Sequence, residues 1–243
     1  TLAPFPESFQ AISSGFTYDL FGSSGLHITT LIVGIIFSVL YITIELNDRR
    51  NKIKYNFDIL PIQFLIGKLA IIVVAINLLT FSLASYKGIP TVLILLFILV
   101  LIYTFLANKT IPGRHIYALG GNAKAAKLSG IKTERVMFWV YVNMGLLAAL
   151  AGMVFAGRLN AATPKAGTSF ELDAIAACYI GGASASGGIG TVIGAIIGGL
   201  VMGVLNNGMS IMGVGIDWQQ TIKGLVLLMA VAFDVYTKTK SKK

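Results

Sequence analysis

Long apolar runs separated by short polar segments dominate the chain from His27 to Val235. Six of these runs come close to the roughly 20 residues that a helix needs to cross the hydrocarbon core of a bilayer. They cover residues 27–46, 62–84, 89–107, 136–156, 192–212 and 220–235. Because backbone amides in lipid must be bonded internally, such runs have to be helices. The pattern therefore predicts an all-α fold, a polytopic bundle of transmembrane helices.

The composition supports this fold class and argues against a soluble helical protein. Of the 243 residues, 56% are hydrophobic and only 12% are charged, and the mean hydropathy is +0.81. Soluble domains carry about 25% charged residues. So few charged side chains could not cover a core of several buried helices with a wetted surface.

The basic residues are concentrated in three polar segments. Fourteen of the 19 Lys and Arg residues lie after the first apolar run, between the third and fourth runs, or in the C-terminal tail. They are Arg49, Arg50, Lys52, Lys54, Lys109, Arg114, Lys124, Lys127, Lys132, Arg135, Lys238, Lys240, Lys242 and Lys243. Segments of this kind remain on the cytoplasmic side, which places the C-terminus there. This distribution accounts for the net charge of +9, and no nucleic-acid partner is expected.

The same topology predicts one further, short crossing. Residues 1–26 contain Glu7 and Asp19 but no Lys or Arg, so they are expected outside. The fourth long helix then ends outside near Gly157, and an odd number of crossings must follow it. Only two long runs remain, and we therefore expect a short, broken helix over residues 171–186.

The N-terminal segment does not have the pattern of a signal peptide, because it lacks a basic region followed by an apolar one. Residues 1–26 are interpreted as an external loop or a cut segment, and residues 27–243 as the transmembrane domain. The chain is thus expected to be a C-terminal fragment that lacks upstream spans.

The cytoplasmic loop over residues 109–135 contains the signals of a short capped helix. Asn122 is a suitable N-cap, and the residues after it are mostly strong helix formers. Gly130 suits the left-handed position after the helix, and Ile131 can then fold back onto Ala126. Such a thin helix could enter a cleft on a partner, or it could be a surface helix without a partner.

A second unusual segment follows the fourth long helix. Glu171 and Asp173 precede a stretch of only about ten apolar residues, which is followed by Gly181, Gly182 and further Gly and Ser residues. Irregular backbone at membrane depth requires contact with protein or with a water-filled cavity. This segment either borders a transport path or is a packing element that never meets a substrate.

Small and polar residues mark the next apolar run. Gly190, Gly194 and Gly198 recur at every fourth position, and Gly199 and Gly203 repeat that spacing. The spacing is typical of helices that approach each other closely. Three amides either line a lumen or form hydrogen bonds between helices: Asn143, Asn206 and Asn207.

Motifs for catalysis are missing from the sequence. It contains no G-x-x-x-x-G-K-[ST], H-E-x-x-H or G-x-S-x-G, so neither an ATPase site nor another enzymatic site of these kinds is expected. The single Cys178 gives no metal cluster, and no metal or cofactor is expected on this chain. The carboxylates are scattered, which weakens but leaves open the alternative of an ion-coupled or facilitative solute carrier. A membrane scaffold that transports nothing is a further alternative.

Two sequence blocks resemble the signatures of sugar ABC importer permeases of the ribose, galactose, arabinose and xylose type. The first comprises Gly113-Arg-His-Ile-Tyr-Ala-Leu-Gly-Gly-Asn122, Ala125-Ala126 and Leu128-Ser-Gly-Ile131. The second comprises Glu171-Leu-Asp-Ala-Ile-Ala-Ala177, Gly181-Gly182 and Gly187-Gly188. The similarity extends from about Gly88 to the C-terminus. The basic loop at residues 47–58 and the extra span before Gly88 are most similar to the xylose permease branch.

The resemblance implies that the short inner helix couples the permease to an ATPase subunit. The residues implied are Gly121, Asn122, Ala125, Ala126, Leu128, Gly130 and Ile131. The residues expected along the translocation path are Glu171, Asp173, Gly181, Gly182, Asn206 and Asn207. The implied partners are an ATP-binding cassette subunit that uses the ATP, an extracytoplasmic sugar-binding protein, a second permease copy and the lipid of a bacterial cell membrane.

Overall fold

The structure, a computed structural model, describes residues 3–19, 26–55 and 61–241. These residues contain ten α-helices. They are α1 (Glu7–Ser14), α2 (Ile28–Lys54), α3 (Ile62–Ala84), α4 (Thr91–Lys109), α5 (Ile111–Gly121), α6 (Ala123–Leu128), α7 (Thr133–Leu159), α8 (Phe170–Ile180), α9 (Val192–Ile211) and α10 (Ile216–Ser241). Six of them (α2, α3, α4, α7, α9 and α10) are long and apolar enough to cross a membrane. The predicted fold class, a polytopic helix bundle, is confirmed.

The helices divide into two compact units, and the boundary falls within α4 between Leu95 and Leu96. Among the described residues, the first unit begins at Phe5, and the second extends to Ser241 and also includes residues 3 and 4. Three sequence segments discussed above lie partly outside the described residues: positions 20–25 of the N-terminal segment, positions 56–60 of the first basic loop, and Lys242 and Lys243 of the tail.

In the first unit, α2 and α3 pack side by side and pair their polar side chains. Asn77 Nδ2 on α3 donates a hydrogen bond of 2.9 Å to Ser38 Oγ on α2. Ser38 Oγ in turn donates to the carbonyl oxygen of Gly34, one turn earlier. Near the end of the pair, Lys68 Nζ lies 2.7 Å from Glu45 Oε1. Polar groups within these apolar helices therefore find partners across the helix–helix contact, as membrane helices require.

Three segments are more helical than the apolar pattern indicated. The basic stretch after the first apolar run, described above as a loop over residues 47–58, continues α2 as far as Lys54. Its Arg and Lys residues are good helix formers, and Lys52 pairs with Asp48 one turn away at 2.6 Å. The inner loop contains α5, which begins after the N-cap residue Thr110. The N-terminal segment contains the short helix α1.

In the second unit, α8, α9 and α10 enclose the core. Ala176 and Ala177 of α8 and Met202 of α9 are buried, and Val226 and Leu227 of α10 pack against them. The contact between α8 and α9 is too close for side chains on one face of α9. A Cβ atom added to Gly198 would overlap the carbonyl group of Ala177, and one added to Gly194 would overlap that of Gly181.

The prediction that the repeated glycines allow close helix packing is therefore confirmed for some of them and not for others. Gly194 and Gly198 allow the backbones of α8 and α9 to touch. A Cβ atom added to Gly199 or Gly203 would have no neighbour within 4 Å in the part of the chain that the structure describes. Only one of the two glycine rows thus supports packing within this unit.

Replacing Gly198 by Ala should separate α8 from α9 and lower stability. Overpacking of a tight contact costs about 1–3 kcal/mol. Gly199→Ala is the matched control, because the added methyl meets open space and alanine favours the helix by up to about 1 kcal/mol. The measurement is the thermal unfolding midpoint of the purified protein, followed by tryptophan fluorescence. Equal midpoints for the two variants would contradict the close contact.

Candidate functional site

The short helix α6, which the sequence predicted on the cytoplasmic side, has a well-formed cap at each end. At its start, Asn122 Oδ1 accepts a hydrogen bond of 3.0 Å from the backbone N–H of Ala125. At its end, Gly130 has a φ of +83°, and its backbone N–H donates to the carbonyl oxygen of Lys127. The N–H of Ile131 donates to the carbonyl oxygen of Ala126 at 3.1 Å. This is a Schellman arrangement, so both caps that the sequence predicted are confirmed.

The two alanines of α6 that the family motif singles out face different surroundings. Ala126 is buried, with 4% of its surface exposed, whereas Ala125 is exposed. Leu128 is 90% exposed, and Lys124 and Lys127 are exposed beside it. One side of α6 thus anchors it to α5 and α7. The other side presents small, apolar and basic groups that a partner could contact.

The helix preceding α6 touches the Gly-rich segment that follows α8. A Cβ atom added to Gly120 would lie 2.5 Å from the backbone nitrogen of Gly188, and one added to Gly187 would lie 2.6 Å from the Gly120 carbonyl oxygen. Gly187 and Gly188 have φ values of +83° and +75°, which other residues adopt only under strain. Tyr117 Oη donates a hydrogen bond of 2.9 Å to the Gly190 carbonyl oxygen. The two segments are therefore in direct backbone contact.

The Gly-rich segment is also attached to α10. The backbone N–H of Ala185 donates a hydrogen bond of 3.0 Å to Asp234 Oδ2. The short helix α8 that precedes the segment has 11 residues. At 1.5 Å per residue, its length is about 16 Å, roughly half the hydrocarbon thickness of a bilayer. A short helix followed by non-helical backbone was predicted here, and whether this region crosses the membrane stays a prediction.

Three polar side chains from α8, α9 and α10 meet inside the second unit. Asp173 Oδ2 accepts hydrogen bonds from Lys223 Nζ at 2.9 Å and from Asn206 Nδ2 at 3.1 Å. The side chains of Lys223 and Asp173 are only 12% and 20% exposed. Next to this contact, Gln220 Nε2 on α10 donates to Ser169 Oγ at the start of α8. We call Asp173, Asn206 and Lys223 the polar triad.

The structure brings together two of the predicted path residues, Asp173 and Asn206, and leaves Glu171 and Asn207 exposed outside the triad. Gly181 lies in the α8–α9 contact, and Gly182 is an exposed turn residue with a φ of +86°.

Lys223 was missed in the sequence analysis, where residues 220–235 were treated as a uniformly apolar run. A lone lysine within such a run was the signal, because a charge inside a membrane helix needs a partner.

Lys223→Met should destabilise the protein because it leaves the carboxylate of Asp173 without its counter-charge. The loss of one member of a largely buried ion pair is expected to cost at least about 2 kcal/mol. Lys52→Met is the control, because Lys52 and Asp48 form an ion pair whose side chains are 51% and 52% exposed, and such pairs contribute under about 0.5 kcal/mol. Thermal unfolding of both variants checks the difference. A double variant, Asp173→Asn with Lys223→Met, removes both charges and keeps an acceptor for Asn206, so it should recover most of the loss. Its failure to recover would contradict this interpretation.

A family model described as "Branched-chain amino acid transport system / permease component" matches residues 9–231. The chain is 38% identical to the xylose transport system permease protein XylH of Haemophilus influenzae over 240 residues, which is 99% of this chain and 62% of that protein. No solved structure matches the chain.

Two other relatives match a shorter stretch of the chain. The XylH protein of Escherichia coli is 46% identical over 176 residues, covering 72% of this chain and 45% of that protein. The ribose import permease protein RbsC of Bacillus subtilis is 47% identical over 154 residues, covering 63% and 48%. The chain thus spans between about half and two thirds of the length of these relatives. The predicted resemblance to sugar permeases is confirmed by these relatives, and the chain belongs to the family of multi-pass membrane permeases whose model matches residues 9–231.

Proposed function

We propose that the chain forms the core of a permease subunit that carries a monosaccharide into the cytoplasm as part of an ABC importer. The observation that supports this most directly is the doubly capped helix α6, placed next to the contact between Gly120 and Gly188. Xylose is the proposed sugar, because two of the similar permeases are named for xylose and match between 72% and 99% of this chain. ATP would be hydrolysed by a separate subunit.

In this proposal α6 docks into a cleft of the ATPase subunit and follows its movement. The coupling residues are Gly121, Asn122, Ala125, Ala126, Leu128, Gly130 and Ile131. Displacement of α6 reaches the Gly-rich segment through the contact between Gly120 and Gly188, where no side-chain rotation can absorb the movement. That segment joins α8 to α9, so both helices move with it. ATP drives the change only if it binds the two states of the complex with different free energy.

The proposed path runs along the α8–α9 region and includes Glu171, Asp173, Gly181, Gly182, Asn206 and Asn207. The distribution of Lys and Arg supports a cytoplasmic C-terminus in a bacterial cell membrane, with α6 on the same side. An extracytoplasmic sugar-binding protein would deliver the sugar from the other side. A second permease copy completes the proposed assembly.

The experiment that tests this function is sugar uptake into vesicles that contain the complete permease. Radiolabelled D-xylose uptake should require ATP, the ATPase subunit and the sugar-binding protein together. Uptake that proceeds without the ATPase subunit would instead favour a facilitative or ion-coupled carrier. A stable complex that transports no sugar under any of these conditions would favour a scaffold.

Ala125→Phe should uncouple ATP hydrolysis from uptake while the permease still folds, because Ala125 is exposed on α6. A bulky ring there obstructs a close-fitting cleft, and we expect uptake to fall at least about tenfold, which corresponds to about 1.4 kcal/mol of lost docking free energy. Sugar uptake and co-purification of the ATPase subunit are the measurements.

The matched control is Ala166→Phe, an equally exposed alanine in the segment between α7 and α8. By the distribution of basic residues, this segment lies on the opposite side of the membrane from α6. The control should retain co-purification of the ATPase subunit, because that subunit lies on the other side of the membrane in this proposal. Unchanged uptake in Ala125→Phe would argue against α6 as the docking element.

A further inference from the structure

Two members of the polar triad, Asn206 and Lys223, lie within their helices, and Asp173 lies in the first turn of the short helix α8. Asn206 is five residues before the last residue of α9, and Lys223 is seven residues after the first residue of α10. At 1.5 Å per residue, these side chains are about 8 and 10 Å from the end of the bundle where α9 connects to α10. A charged group at this depth in a membrane protein is costly, and such groups generally face the protein interior or a water-filled cavity.

The triad has hydrogen-bonding capacity that the described residues do not use. Asp173 Oδ1 and Asn206 Oδ1 are both buried, and neither has a hydrogen-bond partner in residues 3–19, 26–55 and 61–241. Lys223 Nζ carries three N–H groups, of which one donates to Asp173 Oδ2. A buried acceptor without a donor costs free energy, so each of these two oxygen atoms calls for an explanation. The triad thus holds two acceptors without donors beside an ammonium group with spare donors. Because both acceptor atoms are closed off in this structure, a ligand reaches them only when the helices around them part.

The charges of the triad indicate what kind of molecule could use this capacity. The carboxylate of Asp173 is already paired with the ammonium group of Lys223 at 2.9 Å. A cation placed at the free acceptors would be repelled by Lys223, and an anion would be repelled by Asp173. A neutral molecule whose groups both donate and accept hydrogen bonds suits the triad better, and each hydroxyl group of a sugar does both.

We propose that Asp173, Asn206 and Lys223 form a subsite that binds two neighbouring hydroxyl groups of the transported monosaccharide. One hydroxyl group donates to Asp173 Oδ1 and the other to Asn206 Oδ1, while Lys223 donates to a hydroxyl oxygen. This proposal rests on the proposed function and assigns one step of it, the binding of sugar hydroxyls between the helices. A few hydrogen bonds to a neutral ligand bind weakly, and a transport path requires weak binding because the ligand must also leave.

The test changes Asn206, since that leaves the ion pair between Asp173 and Lys223 in place. Asn206→Leu keeps the approximate size of the side chain and removes its acceptor. The complete importer is placed in vesicles, and uptake is measured for D-xylose and D-ribose and for analogues of each that lack one ring hydroxyl. All sugars are supplied at concentrations that saturate the sugar-binding protein, so that its own preference does not determine the ratio of parent to analogue.

We expect the wild-type importer to prefer the parent sugar over at least one deoxy analogue by about fivefold, the effect of one hydrogen bond. In Asn206→Leu this preference should fall close to one, because the acceptor that recognised the missing hydroxyl is gone. A purely structural role of Asn206 would lower the uptake of parent and analogue by the same factor and leave the preference unchanged. That result would overturn the subsite.

Ser210→Ala serves as the matched control on the same helix. Ser210 lies one turn further along α9, and its hydroxyl group donates only to the backbone oxygen of Asn206 in the described residues. This variant should keep the wild-type preference. If Asn206→Leu does not assemble, Asn206→Ala replaces it, because alanine is the best helix former and also lacks the acceptor.

The outcomes separate this proposal from the proposed function. If the wild-type importer takes up neither D-xylose nor D-ribose with ATP, the proposed function fails, and the subsite fails with it. If the wild-type importer takes up a parent sugar and the preference is the same in Asn206→Leu, only the subsite fails. A preference that collapses in Asn206→Leu and persists in Ser210→Ala supports both.

Discussion

Backbone contact without intervening side chains is the constraint on which the second unit of this protein depends. It occurs between α8 and α9, where Gly198 lies against the carbonyl group of Ala177. It occurs again where Gly188 lies against Gly120, just before α6. Side chains can change rotamer and absorb small displacements, whereas two backbones in contact move together. The same glycines therefore give close packing in a membrane, where no hydrophobic force draws helices together. In the proposed function, they also give a direct backbone route from α6 to the helices.

The polar groups inside the apolar helices follow a second rule, which is that each must find a partner within the protein. In the first unit Asn77 meets Ser38 and Lys68 meets Glu45. In the second unit the polar triad meets this requirement only in part, because two of its acceptor atoms remain without donors in the described residues. Single buried atoms without a partner in the described part of the chain also occur at Arg49 and Thr104, but the triad brings two such acceptors from neighbouring helices together beside a charged pair, and this combination marks it as a candidate binding site.

The accuracy of the sequence-based predictions follows from how far apart the interacting residues are along the chain. The caps of α6 involve residues within a few positions of one another. Asn122 therefore caps the start of the helix and Gly130 adopts the left-handed conformation at its end, as the sequence predicted. The extension of α2 to Lys54 was missed, because apolar length indicates where a helix is in lipid and not where it ends beyond the lipid. Lys223 was missed because a single charge hardly changes the hydropathy of a long run.

The sequence alone determined the class of protein, the number of long membrane helices, the short capped helix α6 and the family. These depend on composition, on periodicity and on motifs that are local in the chain. Only the tertiary structure decided that Asp173 and Asn206 meet Lys223, that one glycine row packs while Gly199 and Gly203 do not, and that Gly188 touches the helix before α6. These contacts join residues 33–68 positions apart or depend on which face of a helix is covered, and helix–helix packing rather than local pattern sets them.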